Sequence, residues 1–457
     1  MGTVDFWCEW AWFGGDRPAS GVLVGARDGR IESIVTGTPT PPRRSRILRG
    51  LTLHGVANGH SHAFHRALRG RTHGGRGDFW MWREAMYRVA SVLDPELYHR
   101  LARAVYAEMV ESGYTAVGEF HYLHHPLGGG RYRDPNVMGE ALIAAAAEAG
   151  IRLTLLDTLY LHGGLGEHGY EPLSLPQARF GDESAEAWTE RVGRFDPGSD
   201  ARMGVAAHSV RAVDPRSLEV VATLARERKL VVHAHLSEQP AENTAAMFNH
   251  GLTPTGMMAR AGLLGRDFTA VHATHLSSDD IELLGSSEST VCMCPTTEAD
   301  LGDGVGPSAR LLAAGARLCV GSDSHAVVDP FTEARSIELN RRLVDGVRGV
   351  HHVTDLARAL TNDGYRSLGH LAPDGGPWDP FAIGAPCDLV TVGLNSVRLA
   401  GHGPRALLPA VLFSATASDV TDVVIDARVV VAEGRHVRID AAAELATVLD
   451  DLWNRDW

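Results

Sequence analysis

Eight short apolar runs, each followed by a stretch with helical patterning, constrain this chain more than any other feature. The runs fall at residues 51–57, 114–120, 152–160, 203–208, 230–235, 268–272, 290–293 and 316–320. They are nearly continuous in apolar residues rather than alternating, as strands buried on both faces must be. The intervals carry helix signals. Asp94-Pro95 reads as an N-cap followed by proline at the first helical position, with Gly113 just past the helix end. Asp214-Pro215 opens a second helix in the same way. Eight strands alternating with helices over roughly 320 residues predict an α/β protein built on a (β/α)8 barrel of TIM type. The rival is an open doubly wound sheet. No GxGxxG or Walker sequence follows any of the runs, which disfavours it.

Both ends of the chain read as β-rich. Residues 6–13, 21–25 and 30–35 are apolar runs, and Asp28-Gly29 between the last two is a hairpin signal. The C-terminal zone repeats the pattern at 388–392, 423–426 and 429–439, and residues 441–457 pattern as a closing helix. The two ends are expected to pair into a small β-sandwich domain, residues 1–50 with 378–457. The barrel is expected to occupy residues 51–377.

A formal net charge of −13 and no basic tract argue against general nucleic-acid binding. No stretch approaches the ~20 apolar residues that a membrane span requires. The N-terminus, with Asp5 and Glu9, does not pattern as a signal peptide. Cys8, Cys292, Cys294, Cys319 and Cys387 are odd in number and mostly sit in apolar runs. Reduced thiols in a cytoplasmic protein fit that better than a disulfide framework. Cys292-Met-Cys294 lacks the second cysteine pair of a structural zinc site.

In such a barrel, groups at the C-terminal strand ends converge on one mouth. Those ends supply, in order, His60 and His62, Glu119 and Tyr122, Tyr160, His208 and Arg211, His235 and Glu238, His272, and Asp323. His60 and His62 are two residues apart, so one strand can aim both imidazoles at a single ion. Histidines placed jointly at strand ends predict a metal site. Neutral imidazoles with one carboxylate suit Zn2+, though Fe2+ or Ni2+ could take the same donors. Three histidines and an aspartate leave room for a water whose pKa the ion lowers toward ~7, so hydrolysis is the natural use. Glu238, three residues beyond His235, is placed to shuttle protons near that water. His272 and His275 share one segment. His272 closes the strand and is the site candidate; His275 reads as a loop residue.

At this point the pattern resembles a known family. HxH on the first strand, HxxE at the fifth, His at the sixth and Asp at the eighth resemble the amidohydrolase superfamily in its deaminase branch. The β-rich ends resemble that superfamily's composite sandwich. Binuclear members bridge two ions with a carbamylated lysine or a glutamate after the fourth strand. Here that strand ends in Ala207-His208-Ser209, and Lys229, the chain's lysine, lies just before the fifth. One divalent ion, Zn2+, held by His60, His62, His235 and Asp323, is therefore expected.

Longer stretches resemble one subfamily, the formimidoylglutamate deiminases. They are Asn58-Gly-His-Ser-His-Ala-Phe, Phe79-Trp-Met-Trp-Arg-Glu-Ala-Met-Tyr, Glu119-Phe-His-Tyr-Leu-His-His, His208-Ser-Val-Arg and Cys294-Pro-Thr-Thr-Glu-Ala-Asp-Leu-Gly-Asp-Gly. The resemblance implies hydrolytic deimination of N-formimino-L-glutamate to N-formyl-L-glutamate and ammonia. Asp323 would take the proton of the attacking water, Glu238 would protonate the departing nitrogen, and His272 would hydrogen-bond the new oxygen. A dicarboxylate substrate needs fixed cations, which Arg83 and Arg211 can supply as forks, with Tyr122 and His208 as further donors. Trp80 and Trp82 read as packing residues that hold their loop over the mouth. His65 stands where the family commonly has glutamine and can still donate a hydrogen bond to a carboxylate. Asp300, where asparagine is usual, reads as a surface change, and the loop from His62 to Phe79 looks short. A homodimer is implied by the resemblance alone. Two alternatives remain. One is a related deaminase acting on a guanine, pterin or triazine ring. The other is a non-catalytic scaffold barrel, against which the complete set of ligand residues argues.

Overall fold

Each of the eight runs becomes a strand, and all eight pair in parallel. The structure is a computed structural model that describes residues 3–72, 79–370 and 381–454. The N-terminal segment supplies β1 (Val4–Trp12), β2 (Ala19–Arg27), β3 (Arg30–Val35) and β4 (Arg46–His54). The parallel set begins with β5 (Val56–Ser61), β6 (Tyr114–His121) and β7 (Arg152–Leu159), after which a small hairpin, β8 (Gly164–Gly166) and β9 (Gly169–Glu171), projects from the mouth. It continues through β10 (Ala201–Ala207), β11 (Val232–Leu236), β12 (Phe268–His272), β13 (Thr290–Met293) and β14 (Arg317–Val320). The order is β5-β6-β7-β10-β11-β12-β13-β14, and a parallel bridge from Ser61 to Asp323 brings the last strand round to the first. This is the expected (β/α)8 barrel.

The helices start where their caps predict. Asp94 Oδ1 accepts from the Leu97 N–H at 2.8 Å to open the helix Pro95–Glu111, and Gly113 follows its end at φ +105°. Asp214 caps Pro215–Arg228 in the same way. At the base of the barrel, the segment 367–368 seals the interior: His233 Nε2 meets Ser367 O at 2.8 Å and Thr154 Oγ1 donates to Leu368 O at 2.9 Å. The mouth is left for chemistry.

The first run divides where periodicity could not show it. Leu51 to His54 belong to β4 in the terminal sheet, and Val56 onward belongs to the barrel. The chain passes between them at Gly55, where a Cβ would lie 2.1 Å from the Tyr365 hydroxyl. The last strand of the terminal sheet thus runs to His54 and the first barrel strand starts at Val56.

The C-terminal strands are β15 (Leu389–Val392), β16 (Val420–Ile425), β17 (Arg428–Ala432) and β18 (Arg435–His436). They join β1–β4 in one mixed sheet ordered β18-β17-β16-β15-β4-β1-β2-β3. It curls on itself rather than forming two separate layers. The Ile31 N–H donates to Ala385 O and the Cys387 N–H to Gly29 O, each at 2.8 Å, and Phe6, Val24, Leu48 and Val424 fill the enclosed core. Asp28 and Gly29 sit at φ +50° and +83°, the conformation of a type I′ hairpin turn. The closing helix, Ala441–Trp453, lies on the helix Pro95–Glu111 through ion pairs of Arg103 with Glu444 and Arg100 with Asp451. All five cysteines are free and buried. Among the described residues, no helix is long and apolar enough to cross a membrane.

Candidate active site

Strand register delivers His60 and His62 from β5, His235 from β11 and Asp323 just past β14 to one point. The His235 Nε2 lies 3.2 Å from His60 Nε2 and 3.4 Å from His62 Nε2. Asp323 Oδ1 lies 3.4 Å and 3.6 Å from the same two nitrogens. Donors ~2.0–2.1 Å from a tetrahedral ion stand roughly 3.3–3.4 Å apart, so this set has the spacing that one divalent ion requires. Tautomers agree. His62 Nδ1 faces Phe120 O and His235 Nδ1 faces His208 O, each at 3.0 Å. A carbonyl only accepts, so both Nδ1 atoms carry the proton and both Nε2 lone pairs point inward. Burial holds the rings neutral, pulling His62 down to about 3 and His60 and His235 well below the usual range.

The backbone at this rim is strained. Ser237, His272, Ala273, Asp323 and His325 all adopt positive φ, between +41° and +70°. Such conformations cost on the order of 1 kcal/mol or more each and persist where the surroundings fix them. At Asp323 the fixing bonds are its own N–H to His60 O, 3.0 Å, and the His62 N–H to Asp323 O, 3.3 Å. Beneath, the Ser61 hydroxyl donates to Glu119 Oε2 and the Ala63 N–H to Glu119 Oε1, each at 2.7 Å. Glu119, which burial raises to about 7, thereby pins the residue between the two histidines.

Two further groups flank the donor set. His272 Nε2 lies 3.7 Å from Glu238 Oε1 and 3.8 Å from Asp323 Oδ2. Its Nδ1 is 3.5 Å from Glu298 Oε1, an ion-pair distance rather than a well-formed hydrogen bond. Burial alone would lower this imidazole, but Glu238, Glu298 and Asp323 outweigh it and raise the ring to about 10. Glu238 Oε2 accepts from Arg211 Nη2 at 3.2 Å. A buried imidazole donor and a carboxylate thus face one spot beside Asp323.

The spot opens into a chamber also lined by Trp82, Arg83, Tyr87, Tyr122, His208 and Arg211. This joins an outer space past Arg83, Tyr87, Tyr160, His208 and Arg211. Arg83 Nε donates to the Tyr87 hydroxyl at 2.5 Å and Arg83 Nη2 to Gly163 O at 3.2 Å. Arg211 shares its charge with two carboxylates, Glu238 and Glu242, the latter 3.6 Å from Nε. His65 Nε2 and the Tyr122 hydroxyl share a hydrogen bond of 2.9 Å. His208 packs edge-on against Tyr160, with ring centroids 4.5 Å apart.

All the candidate residues therefore meet at one mouth: His60, His62, His235 and Asp323 at the centre, Glu238 and His272 beside them, and His65, Arg83, Tyr122, His208 and Arg211 around the chamber. His275 instead turns to Asp303 O, 2.8 Å away, as a loop residue. Trp82 packs edge-on against His65 at 5.0 Å and also forms chamber wall. The side chain of Trp80, and residues 73–78 of the loop before it, lie outside the described residues. Asp300 is exposed. Sequence reasoning missed Tyr87, Glu242 and Glu298. Tyr87 was signalled by its i,i+4 spacing from Arg83 on the helix Phe79–Val92; Glu242 sits in the first turn of the helix Pro240–His250 with no such signal.

Residues 52–430 match the amidohydrolase family, and the chain belongs to it. Within that family it is 36% identical over 409 residues to the formimidoylglutamate deiminase of Pseudomonas aeruginosa, covering 87% of this chain and 88% of that one. A solved amidohydrolase from Brucella melitensis is 31% identical with a TM-score of 0.87, covering 98% of this chain and 100% of its own. An adenosine deaminase from Xanthomonas campestris, solved with bound zinc, shares the fold at a TM-score of 0.81 and 21% identity over 99% of both chains. The protein is a hydrolase that acts on C–N bonds of a small molecule.

Proposed function

We propose that the protein hydrolyses N-formimino-L-glutamate to N-formyl-L-glutamate and ammonia. The supporting observation is a chamber whose wall carries a four-donor metal set, Glu238 and His272 beside it, and two guanidinium groups, Arg83 and Arg211, the latter paired with Glu238. A linear amidine carrying two carboxylates matches those groups. A flat heterocycle has no charge for the arginines to meet. The 36% identity to a formimidoylglutamate deiminase supports the same reading.

His60, His62, His235 and Asp323 would hold one Zn2+, whose Lewis acidity brings the pKa of a bound water toward ~7. Asp323 Oδ2 takes the proton of the attacking water. As the C–O bond forms at the formimino carbon, His272 donates a hydrogen bond to the developing oxygen. Glu238 delivers a first proton to the terminal nitrogen and the proton taken by Asp323 follows as the second; ammonia leaves as the C–N bond breaks, and the adduct's hydroxyl returns its proton to Glu238 as the carbonyl forms. Arg83 and Arg211, with Tyr122, His208 and His65, hold the two carboxylates and keep the formimino group against Asp323 and Glu238. The five buried free cysteines support a cytoplasmic enzyme, and the family resemblance supports a homodimer.

The test is direct. Purified, metal-replete protein given N-formimino-L-glutamate is expected to release ammonia and N-formyl-L-glutamate in equal amounts. Turnover of a purine or triazine ring without action on the formimino substrate would replace this assignment.

A further inference from the structure

A second group of donors lies beside the first. His272, Cys294 and Asp323 bring a ring nitrogen, a thiol sulfur and a carboxylate oxygen within 4.8 Å of one another, and all three side chains are buried. This set shares only Asp323 with the four-donor group, and it alone contains sulfur. Cys294 reaches the position because it follows β13 directly and faces Gly321, where a Cβ would lie 3.0 Å from Cys294 Sγ. Nothing in the proposed reaction uses this thiol.

Sulfur, imidazole and carboxylate together are donors that suit Zn2+, Co2+ or Cd2+. With Zn–S near ~2.3 Å and Zn–N near ~2.0–2.1 Å, tetrahedral donors stand roughly 3.4–3.6 Å apart. A cation would therefore draw these three side chains inward by about an ångström. Coordination releases the Cys294 thiol proton and the His272 proton to solvent. The His60 group offers four donors and this set three, one of them shared, so this set fills after the His60 group, when the cation is in excess.

We propose that His272, Cys294 and Asp323 form an inhibitory site for a thiophilic divalent cation, adjoining the four-donor site that supports turnover and sharing Asp323 with it. The inference rests on the reading of His272 as the donor to the developing oxygen, since an ion on this ring removes that donor. Loss of one such donor lowers turnover roughly 10²- to 10³-fold.

The test uses the full chain, freed of metal and titrated with Co2+. The His60 group contains no sulfur, so a thiolate-to-cobalt charge-transfer band in the near ultraviolet reports the second set alone. The band is expected to grow with the second equivalent, while turnover supported by the first falls about 100-fold. Cys294→Ser and Cys294→Ala should lose both band and inhibition and keep basal turnover. X-ray absorption of the unsubstituted protein at two equivalents needs no variant and should show a sulfur scatterer near ~2.3 Å. The proposal is overturned by no band, by a band complete at the first equivalent, by one unchanged in the variants, or by a shell of nitrogen and oxygen alone. These optical and scattering signals involve no substrate, so they stand apart from whether N-formimino-L-glutamate is turned over.

Discussion

At the metal end of the chamber, side chains are fixed by backbone; at the substrate end, they are fixed by one another. His62 and His235 are oriented by the carbonyls of Phe120 and His208, and Asp323 by main-chain bonds to β5. Arg83 is held largely by Tyr87, His65 by Tyr122, and Arg211 by Glu238 and Glu242. The first arrangement comes with the barrel register, because a parallel sheet that closes must present those carbonyls. The second depends on side chains from segments that leave the barrel. Substitutions at the substrate end should therefore alter which molecule binds while leaving the ion in place. Substitutions at the metal end should abolish the chemistry whatever binds.

The largest expected effect is at Asp323. Asp323→Asn removes an anionic donor and the proposed base together, so turnover should fall by at least ~10⁴-fold. Metal analysis beside kcat should show the ion depleted as well. Glu238→Gln divides the two roles. Its metal content should match the unsubstituted protein while kcat falls by ~10²- to 10⁴-fold. Near-normal turnover in Glu238→Gln would remove this carboxylate from proton transfer and shift the work to another group at the rim.

The same division explains what could be read from sequence. The barrel was legible because its strands are continuous apolar runs and its helices begin with Asp-Pro caps, both local signals. The metal set was legible because strand-end position carries its geometry: once His60, His235 and Asp323 are known to end strands, their convergence follows from closure. Arg83 was visible only through a stretch resembling a subfamily. Its partner Tyr87 was passed over, since i,i+4 pairs on a helix are common and say nothing of which face meets a cavity. Glu242 was hidden likewise, as an ordinary acid in the first turn of Pro240–His250. The break at Gly55 was invisible because apolar residues stand on both sides of it, Leu53 before and Val56 after, and the close approach of Tyr365 marks it only in the fold.

A third effect tests whether the chamber wall is independent of the metal end. Arg191 forks to Asp157 at 2.7 Å and Asp182 at 2.9 Å, and His125 meets Asp182 at 3.1 Å, all buried. Phe180, two residues before Asp182, lines the chamber. Arg191→Ala leaves two buried carboxylates uncompensated, and a loss of about 3–5 kcal/mol of stability is expected. Burial would raise both aspartates, but Arg191 outweighs it for Asp157, and His125 with Arg191 for Asp182, holding both below the ordinary range. A depressed carboxylate contributes stability that is complete above the usual value near ~4 and is lost as pH falls through the folded value. The unsubstituted protein should therefore lose stability below about pH 4, and the variant's deficit, large at neutral pH, should shrink there. Thermal unfolding at the two pH values measures both, and metal content per folded chain should not change.

The smallest effect bears most directly on the substrate. Arg83→Ala should leave kcat nearly unchanged and raise KM about 10- to 100-fold, since a charge-assisted hydrogen-bonded contact is worth roughly 1.5–3 kcal/mol. Arg83→Lys should recover part of this, because an ammonium keeps the charge and loses the fork. The decisive comparison pairs each enzyme with an analogue of the substrate that lacks its side-chain carboxylate. If Arg83 grips that carboxylate, the unsubstituted enzyme should bind the analogue weakly and Arg83→Ala should bind it no worse. An equal loss for both molecules would place Arg83 elsewhere in the wall, and the second carboxylate would fall to Arg211. Arg211 is already shared with Glu238, so substrate binding there would also disturb the proton donor, and the two ends of the chamber would not be separable after all.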